Sequence, residues 1–377
     1  MKKSLIISLS LLCWLNVLLG QVRFDRFDIS SGLSQNNINA MEFDDFGMLW
    51  IGTLDGLNRF NGEGFEIIKP GRNIRGELSG NHILALGKGT NGNMWIVSRD
   101  GMLNLYHAAQ NCYRVIPKSN FEQFNLSQCG ILSQVGDSLL LLVNNNMLGI
   151  WGFSDSVLTS LRTPGNIRGI EKLNNKVFVY GTFGIYELLG FSDGFRFDKL
   201  TDLPCYAANV FNGNFYWLSQ KGIASFGEHP DSIEICVDAG VFNQQIVNLQ
   251  QISEMLFDGE KFWLGANGFF GSVGFDNDLP VLKQFVYNPQ VNHSFKGYSV
   301  SGLRIDSSGN IWIGTAKNGL NLINRTKNQF AYHEWDQLKL SDAESNPVRA
   351  ICKSNNDELW LGFDRKGVGV VFPDGKQ

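Results

Sequence analysis

The 377-residue chain is poor in charged residues, proline and cysteine. Charged residues make up 18% of it, and there are only 9 prolines and 6 cysteines, whereas glycine reaches 42 and aromatic residues 12%. Few charges with an excess of glycine and aromatic residues disfavour a disordered chain and a helical bundle. The composition favours many short strands joined by tight turns, so it predicts an all-β protein.

Basic residues are neither abundant nor clustered. Lysine and arginine total 32 against 36 aspartates and glutamates, which gives a net charge of −4 at pH 7. A protein that follows a phosphate backbone needs a concentrated basic surface. Nucleic acid is therefore not an expected partner.

Cysteine and histidine spacing predicts neither a disulfide framework nor a metal site. Outside the N-terminal apolar segment the five cysteines are widely spread and form no C-x-x-C pair, and the five histidines form no H-x-H or H-E-x-x-H motif. We expect buried free thiols, and no metal or other cofactor. The five cysteines are Cys112, Cys129, Cys205, Cys236 and Cys352.

One long apolar run lies at the N-terminus. It extends from Leu5 to Leu19, follows two lysines and ends just before Gln21. A basic start, a short apolar core and a small residue before the cut are typical of a secretory signal. Residues 1–20 are thus predicted to be a signal peptide and residues 21–377 the mature domain; an uncleaved N-terminal anchor is the alternative. We expect a periplasmic or secreted protein that meets a membrane only through this segment if it is uncleaved.

Internal repetition is the most informative feature of the sequence. Residues 44–58 and 306–321 share D-x-x-G-x-x-W-I-G-T followed by G-L-N, and weaker copies lie between and after them. Eight anchor positions, numbers 50, 95, 140, 178, 217, 263, 312 and 360, recur 38 to 49 residues apart. Six of them carry tryptophan: Trp50, Trp95, Trp217, Trp263, Trp312 and Trp360.

Each repeat divides into four short strands, a to d. In the first repeat we predict strands over residues 38–43, 48–52, 57–60 and 65–68, with an Asp-x-x-Gly turn between a and b and a tight Asp-Gly hairpin between b and c. A period near 45 residues with four strands is the signature of a β-propeller blade. The recurring tryptophans are predicted to be packing anchors between neighbouring blades.

Two arrangements can close such a ring. Residues 24–29 form a strand d without its own a, b and c, whereas residues 348–372 supply a, b and c without a d. Pairing these two segments gives an eight-bladed ring with no strand left over, and we favour this prediction. In the alternative, residues 24–29 complete the seventh blade and the eighth repeat opens a second propeller.

The repeats resemble the two-component regulator propeller of Bacteroidetes-type hybrid sensors. The resemblance is carried by Gly32-Leu33-Ser34, Trp50-Ile51-Gly52-Thr53 and Gly56-Leu57-Asn58 in the first repeat and by the matching seventh repeat. It implies a periplasmic ligand-sensing module, the input part of a two-component system that recognises oligosaccharides, with a sensor kinase or a second propeller as partner. The chain shows no kinase phosphoacceptor region and no ATP lid, so we expect no kinase activity from it.

The b–c turns of a propeller lie on one face around its central channel, and they are our predicted ligand-binding residues. Five of their charged members are basic and three acidic, which suits an acidic or sulfated oligosaccharide. Solvated turn residues without a ligand are the alternative interpretation. The predicted residues are Asp55, Arg99, Asp100, Lys221, Asn267, Lys317, Asn318, Asp364, Arg365 and Lys366.

Two other functional classes stay open. A protein-interaction platform is one, and a propeller-type carbohydrate-active enzyme is the less favoured other. A glycosidase needs two carboxylates about 5 to 9.5 Å apart, whereas the acids that recur here are turn aspartates with a structural task. We therefore predict that the chain is not an enzyme and has no catalytic residues.

Overall fold

The computed structural model describes residues 22–71, 78–154, 156–191, 194–227, 232–243, 247–291, 293–329, 348–354, 356, 358–364 and 367–371. The chain divides into two compact units, Arg23–Arg325 and the residues outside that range. The repeats predicted within residues 21–377 are thus distributed over both units. The predicted signal peptide lies outside the described residues.

Six four-stranded antiparallel sheets, each built from consecutive strands, form blades 1 to 6 of the Arg23–Arg325 unit. Blade 1 comprises β2 (Ile38–Phe43), β3 (Leu49–Thr53), β4 (Gly56–Phe60) and β5 (Phe65–Ile68). Blade 2 comprises β6 (Ile83–Lys88), β7 (Met94–Ser98), β8 (Leu103–His107) and β9 (Cys112–Ile116). Blade 3 comprises β10 (Ile131–Val135), β11 (Leu139–Asn144), β12 (Met147–Gly152) and β13 (Leu158–Arg162). Blade 4 comprises β14 (Ile167–Leu173), β15 (Lys176–Gly181), β16 (Gly184–Phe191) and β17 (Gly194–Thr201). Blade 5 comprises β18 (Ala207–Phe211), β19 (Asn214–Ser219), β20 (Gly222–Phe226) and β21 (Glu234–Asp238). Blade 6 comprises β22 (Ile252–Phe257), β23 (Phe262–Ala266), β24 (Phe269–Asp276) and β25 (Leu279–Gln284).

Blade 7 is completed by the N-terminal strand. It contains β26 (Ser299–Ile305), β27 (Ile311–Ala316) and β28 (Gly319–Ile323), and β1 (Asp25–Phe27) pairs antiparallel with β28 as its outer strand. The favoured prediction, that residues 24–29 complete the eighth repeat, is therefore wrong. The alternative, in which they complete the seventh blade, is the arrangement that the structure has.

The packing of two phenylalanines explains this pairing. Phe24 is 2% exposed and makes edge contacts with Phe285 and Phe295, at centroid distances of 5.5 and 5.6 Å. Phe27 stacks on Trp312 of blade 7 at 5.7 Å. Phe24 thus packs against blade 6 and the loop that enters blade 7, while Phe27 packs on blade 7 itself, and a bare pattern of strands reveals neither contact.

The seven blades close into a ring. The inner strands contact one another in cyclic order, from β2 to β6, β10, β14, β18, β22 and β26, and then back to β2. A Cβ placed on Gly52 would come within 2.6 Å of Ile83 in the next blade, and one on Gly314 within 2.9 Å of Ile38 in blade 1. The same close approach therefore joins blade 1 to blade 2 and blade 7 to blade 1.

The eighth repeat lies in the other unit. Its strands β29 (Val348–Lys353), β30 (Leu359–Phe363) and β31 (Val368–Val371) form a three-stranded antiparallel sheet. Trp360 on β30 is 44% exposed, and its indole N–H donates to Glu358 Oε2 at 3.1 Å. An anchor role for Trp360 stays a prediction.

The hydrophobic core of the ring lies between neighbouring blades. Trp50 packs in one cluster with Leu86 and Met94 of blade 2, and Trp312 in another with Ile38 and Met41 of blade 1. The predicted anchors of the ring are at most 5% exposed: Trp50, Trp95, Trp217, Trp263 and Trp312. Their large rings fill the space between twisted sheets, as the repeat predicts.

The Asp-x-x-Gly turns hold these tryptophans in place. Asp44 Oδ1 accepts the backbone N–H of Phe46 at 2.9 Å, while Oδ2 accepts the indole N–H of Trp50 at 2.8 Å. Asp306 accepts the indole of Trp312 at 3.1 Å in the same way. The recurring aspartate thus closes the turn and satisfies a buried donor.

Helical structure within the described residues is brief. The α-helix Gly240–Asn243 is accompanied by 3-10 turns at Ile29–Ser31, Ala108–Gln110, Lys118–Phe121, Leu126–Gln128, Leu249–Gln251 and Lys327–Gln329. A search of the described residues finds no helix with the length and apolar character needed to cross a membrane.

Candidate functional site

The b–c turns and the loops that lead into the blades share one face of the ring. The backbone N–H of Gly56 donates to Asn81 O at 2.7 Å, that of Gly268 to Tyr298 O at 2.7 Å, and that of Gly319 to Asn36 O at 2.8 Å. Each bond joins a b–c turn to the loop that enters the following blade, across the ring closure in the third case. This surface is termed the loop face.

Two predicted ligand-binding carboxylates are engaged within the loop face. Asp55 Oδ2 lies 2.6 Å from Lys69 Nζ, and its Oδ1 accepts the side-chain N–H of Asn81 at 2.8 Å. Asp100 Oδ1 accepts the hydroxyl of Ser98 at 2.5 Å. Asp55 therefore ties its turn to neighbouring segments, whereas Asp100 bonds within its own turn.

The other predicted residues of the ring do not converge on one point, because each b–c turn belongs to a different blade. Lys317 has a backbone φ of +88°, a left-handed conformation that is uncommon for a lysine. Arg99 lies in the b–c turn of blade 2, Lys221 in that of blade 5, Asn267 in that of blade 6, and Lys317 and Asn318 in that of blade 7.

The last three predicted residues belong to the eighth repeat. Asp364 lies in the unit outside the ring, where its Oδ1 is 3.2 Å from Arg349 Nε. Arg365 and Lys366 lie outside the described residues.

One predicted pair does line a cavity on the loop face. Arg99 and Asp100, with Gly101, form one wall of an open cleft of about 830 Å³, and residues between Lys118 and Ser127 form the other. This cavity is termed the loop cleft. The second wall is the connection between β9 and β10, whose sequence has no counterpart in the strong repeats, so the repeat pattern did not identify it.

The loop cleft combines opposite charges with hydrogen-bonding groups. Its cations are Arg99 and Lys118, and its acids are Asp100 and Glu122. Burial is the main cause that lowers the pKa of His82, and the nearby Arg99 guanidinium lowers this pKa further. The cleft can thus bind hydroxyl or carboxylate groups through charged donors, although it balances cations and acids rather than carrying the basic excess predicted for the turns.

A central channel of about 520 Å³ runs between the inner strands. Arg168 of blade 4 reaches past blade 5 to blade 6, where its guanidinium donates to Gln250 O at 3.1 Å and to Ile252 O at 3.4 Å. Since Arg168 and Ile252 both lie where their strands leave the loop face, this side chain narrows that end of the channel. The acidic and basic side chains that line the channel are Glu42, Lys88, Arg168, Glu171, Lys172, Glu254 and Arg304.

Burial dominates the ionisation of two channel carboxyls, those of Glu171 and Glu254. It raises the pKa of Glu171 to about 7 against the attraction of Arg304 and Lys172, and it also raises the pKa of Glu254. Burial alone would lower the pKa of Arg304, but the surrounding carboxylates raise it, and its Nε lies 3.3 Å from Glu42 Oε2. The channel thus holds a glutamate that titrates near neutral pH.

Replacing this glutamate is expected to change the pH dependence of stability. The folded protein holds the Glu171 proton up to a pKa of about 7, against about 4.3 when unfolded. The resulting stabilisation is complete below about pH 4 and is lost as pH rises through 7. In urea unfolding, Glu171→Gln should raise the free energy of unfolding at pH 8 by about 1–3 kcal/mol and leave that at pH 4 nearly unchanged.

The exposed Glu234 on β21 offers a matched control for that measurement. Glu234→Gln should follow the wild-type pH profile throughout. A Glu171→Gln profile parallel to the wild-type profile from pH 4 to pH 8 would contradict the raised pKa.

The cysteines of the described residues are free thiols in different surroundings. A search of the described part of the chain finds no three His, Cys, Asp or Glu side chains placed to hold a metal ion. All five cysteines are free, but only Cys129 and Cys205 are buried, and burial raises the pKa of Cys129 to about 12. The expectation of buried thiols therefore holds for two of them, while Cys352 is exposed.

Comparison with known protein families identifies the repeat. The two-component regulator propeller family matches residues 32–55 and 294–317. Both segments run from an entry loop through strands a and b, and their blades, 1 and 7, are neighbours at the ring closure. The predicted resemblance is confirmed: these segments are two-component regulator propeller repeats. Histidine kinase P4 of Formosa agariphila is 46% identical over 46 residues, which are 12% of this chain and 3% of that protein.

Solved structures share the fold. The extracellular domain of a hybrid two-component system of B. thetaiotaomicron matches with a TM-score of 0.65 and 18% identity, over 94% of this chain and 49% of that one. A second such domain from that organism gives 0.62 and 15%, over 93% and 45%. Virginiamycin B lyase of Staphylococcus aureus gives 0.54 and 11%, over 80% and 98%. The predicted propeller is confirmed, and the chain spans about half the length of the two extracellular domains.

Proposed function

We propose that this protein is an extracytoplasmic propeller that binds an oligosaccharide in the loop cleft and acts as the input part of a two-component system. The observation that carries the proposal is the cleft itself, about 830 Å³ in volume and lined by predicted turn residues of blade 2. The family of the repeats supports the link to two-component signalling. A sensor kinase, or a second propeller that leads to one, would receive the signal.

The chemistry of the loop cleft suits a sugar chain. Its volume falls within the 300–1,000 Å³ typical of small-molecule sites. Arg99 and Lys118 offer charged donors to hydroxyl, carboxylate or sulfate groups, and Gln123 adds an amide. Because the cleft is open to solvent, a chain longer than the cavity can lie across it. Acidic or sulfated chains would gain most from the two cations.

The protein is proposed to bind the oligosaccharide without catalysing a reaction on it. The recurring aspartates Asp44, Asp258 and Asp306 each accept a tryptophan indole N–H at 2.8 to 3.1 Å, so they are committed to the turns. The similar lyase supports no activity here, since at 11% identity the likeness concerns the fold alone.

A protein-interaction platform is the second candidate, and exposed apolar side chains favour it. Ile235 on the outer strand of blade 5 is 55% exposed, and Leu279 and Val281 on that of blade 6 are 68% and 50% exposed. Outer strands with such side chains offer a surface for another protein.

Removing the two cations should abolish most of the oligosaccharide affinity. We expect at least one member of a panel of neutral, acidic and sulfated oligosaccharides to raise the melting temperature of the protein. Arg99→Ala with Lys118→Ala should then weaken that ligand by about tenfold or more for each lost charged hydrogen bond, measured by calorimetry.

Lys221→Ala is the matched control, because Lys221 is an exposed b–c turn residue outside the loop cleft. It should bind like the wild type. Equal affinity of the double variant and the wild type would contradict the proposed site. New reducing ends in the sugar would indicate an enzyme, and a panel without any stabilising member would favour the protein platform.

A further inference from the structure

Blades 2 and 3 enclose a further cavity between them, of about 350 Å³. It is termed the wedge pocket. Its wall is aromatic: Trp95 and Trp151 meet edge to face at a centroid distance of 5.9 Å, and Phe153 lies 5.3 Å from Trp151. Polar side chains that line it further out are His107, Arg114, Asn120 and Asp137.

The wedge pocket occurs where the sequence departs from the repeat. The a–b turn of blade 2 has no aspartate, so the indole N–H of Trp95 donates to Gln134 Oε1 of blade 3 at 2.7 Å. Blade 3 in turn has Leu140 at the anchor position and carries its tryptophan, Trp151, on strand c instead. The interface of blades 2 and 3 is thus built from other residues than those of blades 1 and 7.

One donor in the wedge pocket is unsatisfied. Trp151 is only 5% exposed, and its indole nitrogen has no hydrogen-bond partner in the described part of the chain. A buried donor without a partner costs about 1–3 kcal/mol. The nitrogen itself is closed to solvent, so a ligand oxygen in the pocket recovers this cost once a small turn of the indole ring brings the N–H to the cavity.

We propose that the wedge pocket binds one neutral hexopyranose ring. Aromatic walls suit the C–H faces of such a ring, whereas the Trp151 indole and the polar rim suit its hydroxyls. The charged lining residues are one cation, Arg114, and one carboxylate, Asp137. Their charges cancel, so the pocket does not favour a charged ligand over a neutral one. The volume lies at the small end of ligand sites, as one ring requires.

This inference depends on the proposed function in one respect only, namely that the ligand is a sugar. The wedge pocket and the loop cleft share no lining residue. Pro117 and Asn120 line the former, while Lys118, Ser119 and Phe121 line the latter, so the two sites lie on either side of one short segment. Each site can therefore be removed by substitution without touching the other.

Titration of the full chain with D-glucose, D-galactose, D-mannose and N-acetyl-D-glucosamine tests the pocket. We expect at least one of them to change the tryptophan fluorescence and to show saturation transfer by NMR at millimolar concentration. Trp151→Phe keeps the aromatic wall but removes the donor, and should raise the dissociation constant about two- to tenfold. Arg114→Ala and Asp137→Asn, both at exposed positions, should weaken binding without a change in melting temperature.

Two controls separate pocket binding from other effects. Trp217→Phe removes the other buried indole without a partner among the described residues, in blade 5 and outside the pocket, and should bind like the wild type. Arg99→Ala with Lys118→Ala should lose the oligosaccharide and keep the hexose. No binding of any hexose, or unchanged affinity in Trp151→Phe, Arg114→Ala and Asp137→Asn, would overturn the wedge pocket. Loss in only the loop-cleft variant would also overturn it.

Discussion

A chain that begins after Asp28 is expected to lose its cooperative unfolding transition, whereas a chain that ends at Arg325 should keep it. The first change removes β1, which is the outer strand of blade 7, together with Phe24 and Phe27. The second removes only residues of the other unit. Urea unfolding followed by tryptophan fluorescence, with small-angle scattering to test compactness, would compare the two truncations with the full chain.

The size of the first effect follows from the burial of the two rings. Phe24 is 2% exposed among Phe270, Phe285 and Phe295, and Phe27 stacks on Trp312. Losing one buried phenylalanine costs about 3–5 kcal/mol. Phe27 is only partly buried and adds a smaller loss, and together with the loss of strand β1 the total is comparable with the 5–15 kcal/mol that stabilises a typical folded domain.

The single substitutions Phe24→Ala and Arg26→Ala give a matched pair within the same segment, since Arg26 is exposed. We expect the first to lower the free energy of unfolding strongly and the second to change it little. If eight blades closed the ring, the opposite result would be expected for the truncations, because the chain ending at Arg325 would then be the unstable one.

Trp50→Ala is expected to cost about 3–5 kcal/mol of the free energy of unfolding. Trp50 is fully buried between blades 1 and 2, and its indole N–H donates to Asp44 at 2.8 Å. Its removal leaves a cavity against Leu86 and Met94 and deprives the aspartate of its partner. Urea unfolding at neutral pH would measure the change.

Trp360→Ala serves as the control for that experiment. Trp360 occupies the same place in the repeat, but it is 44% exposed and lies outside the ring unit. We expect its removal to leave the unfolding of the ring nearly unchanged. Equal losses for Trp50 and Trp360 would contradict the role of inter-blade burial in the anchor.

The repeat pattern predicted the strands of the blades well, because period and turn chemistry are local properties. Strand a of the first repeat was predicted over residues 38–43 and is observed at Ile38–Phe43. The partner of the N-terminal strand was predicted wrongly. Two sheets each offered a place for it, and only the packing of Phe24 against blade 6 and of Phe27 against blade 7 distinguishes them.

The candidate sites were predicted less completely than the fold. Arg99 and Asp100 were identified as turn residues, but Lys118 and Gln123 were not, since they belong to a connection without a repeat. The wedge pocket was missed altogether. It depends on Trp151, which stands on strand c and breaks the pattern by which the other tryptophans were found.

By itself the sequence determined the blade architecture, the turn aspartates and the tryptophan anchors, because each depends on residues a few positions apart. Only the tertiary structure decided that seven blades close the ring and that the eighth repeat lies in another unit. It also decided which turns line a cavity. The physical reason is the same in these cases: closure and cavities depend on the fit of side chains from distant repeats, which no local spacing encodes.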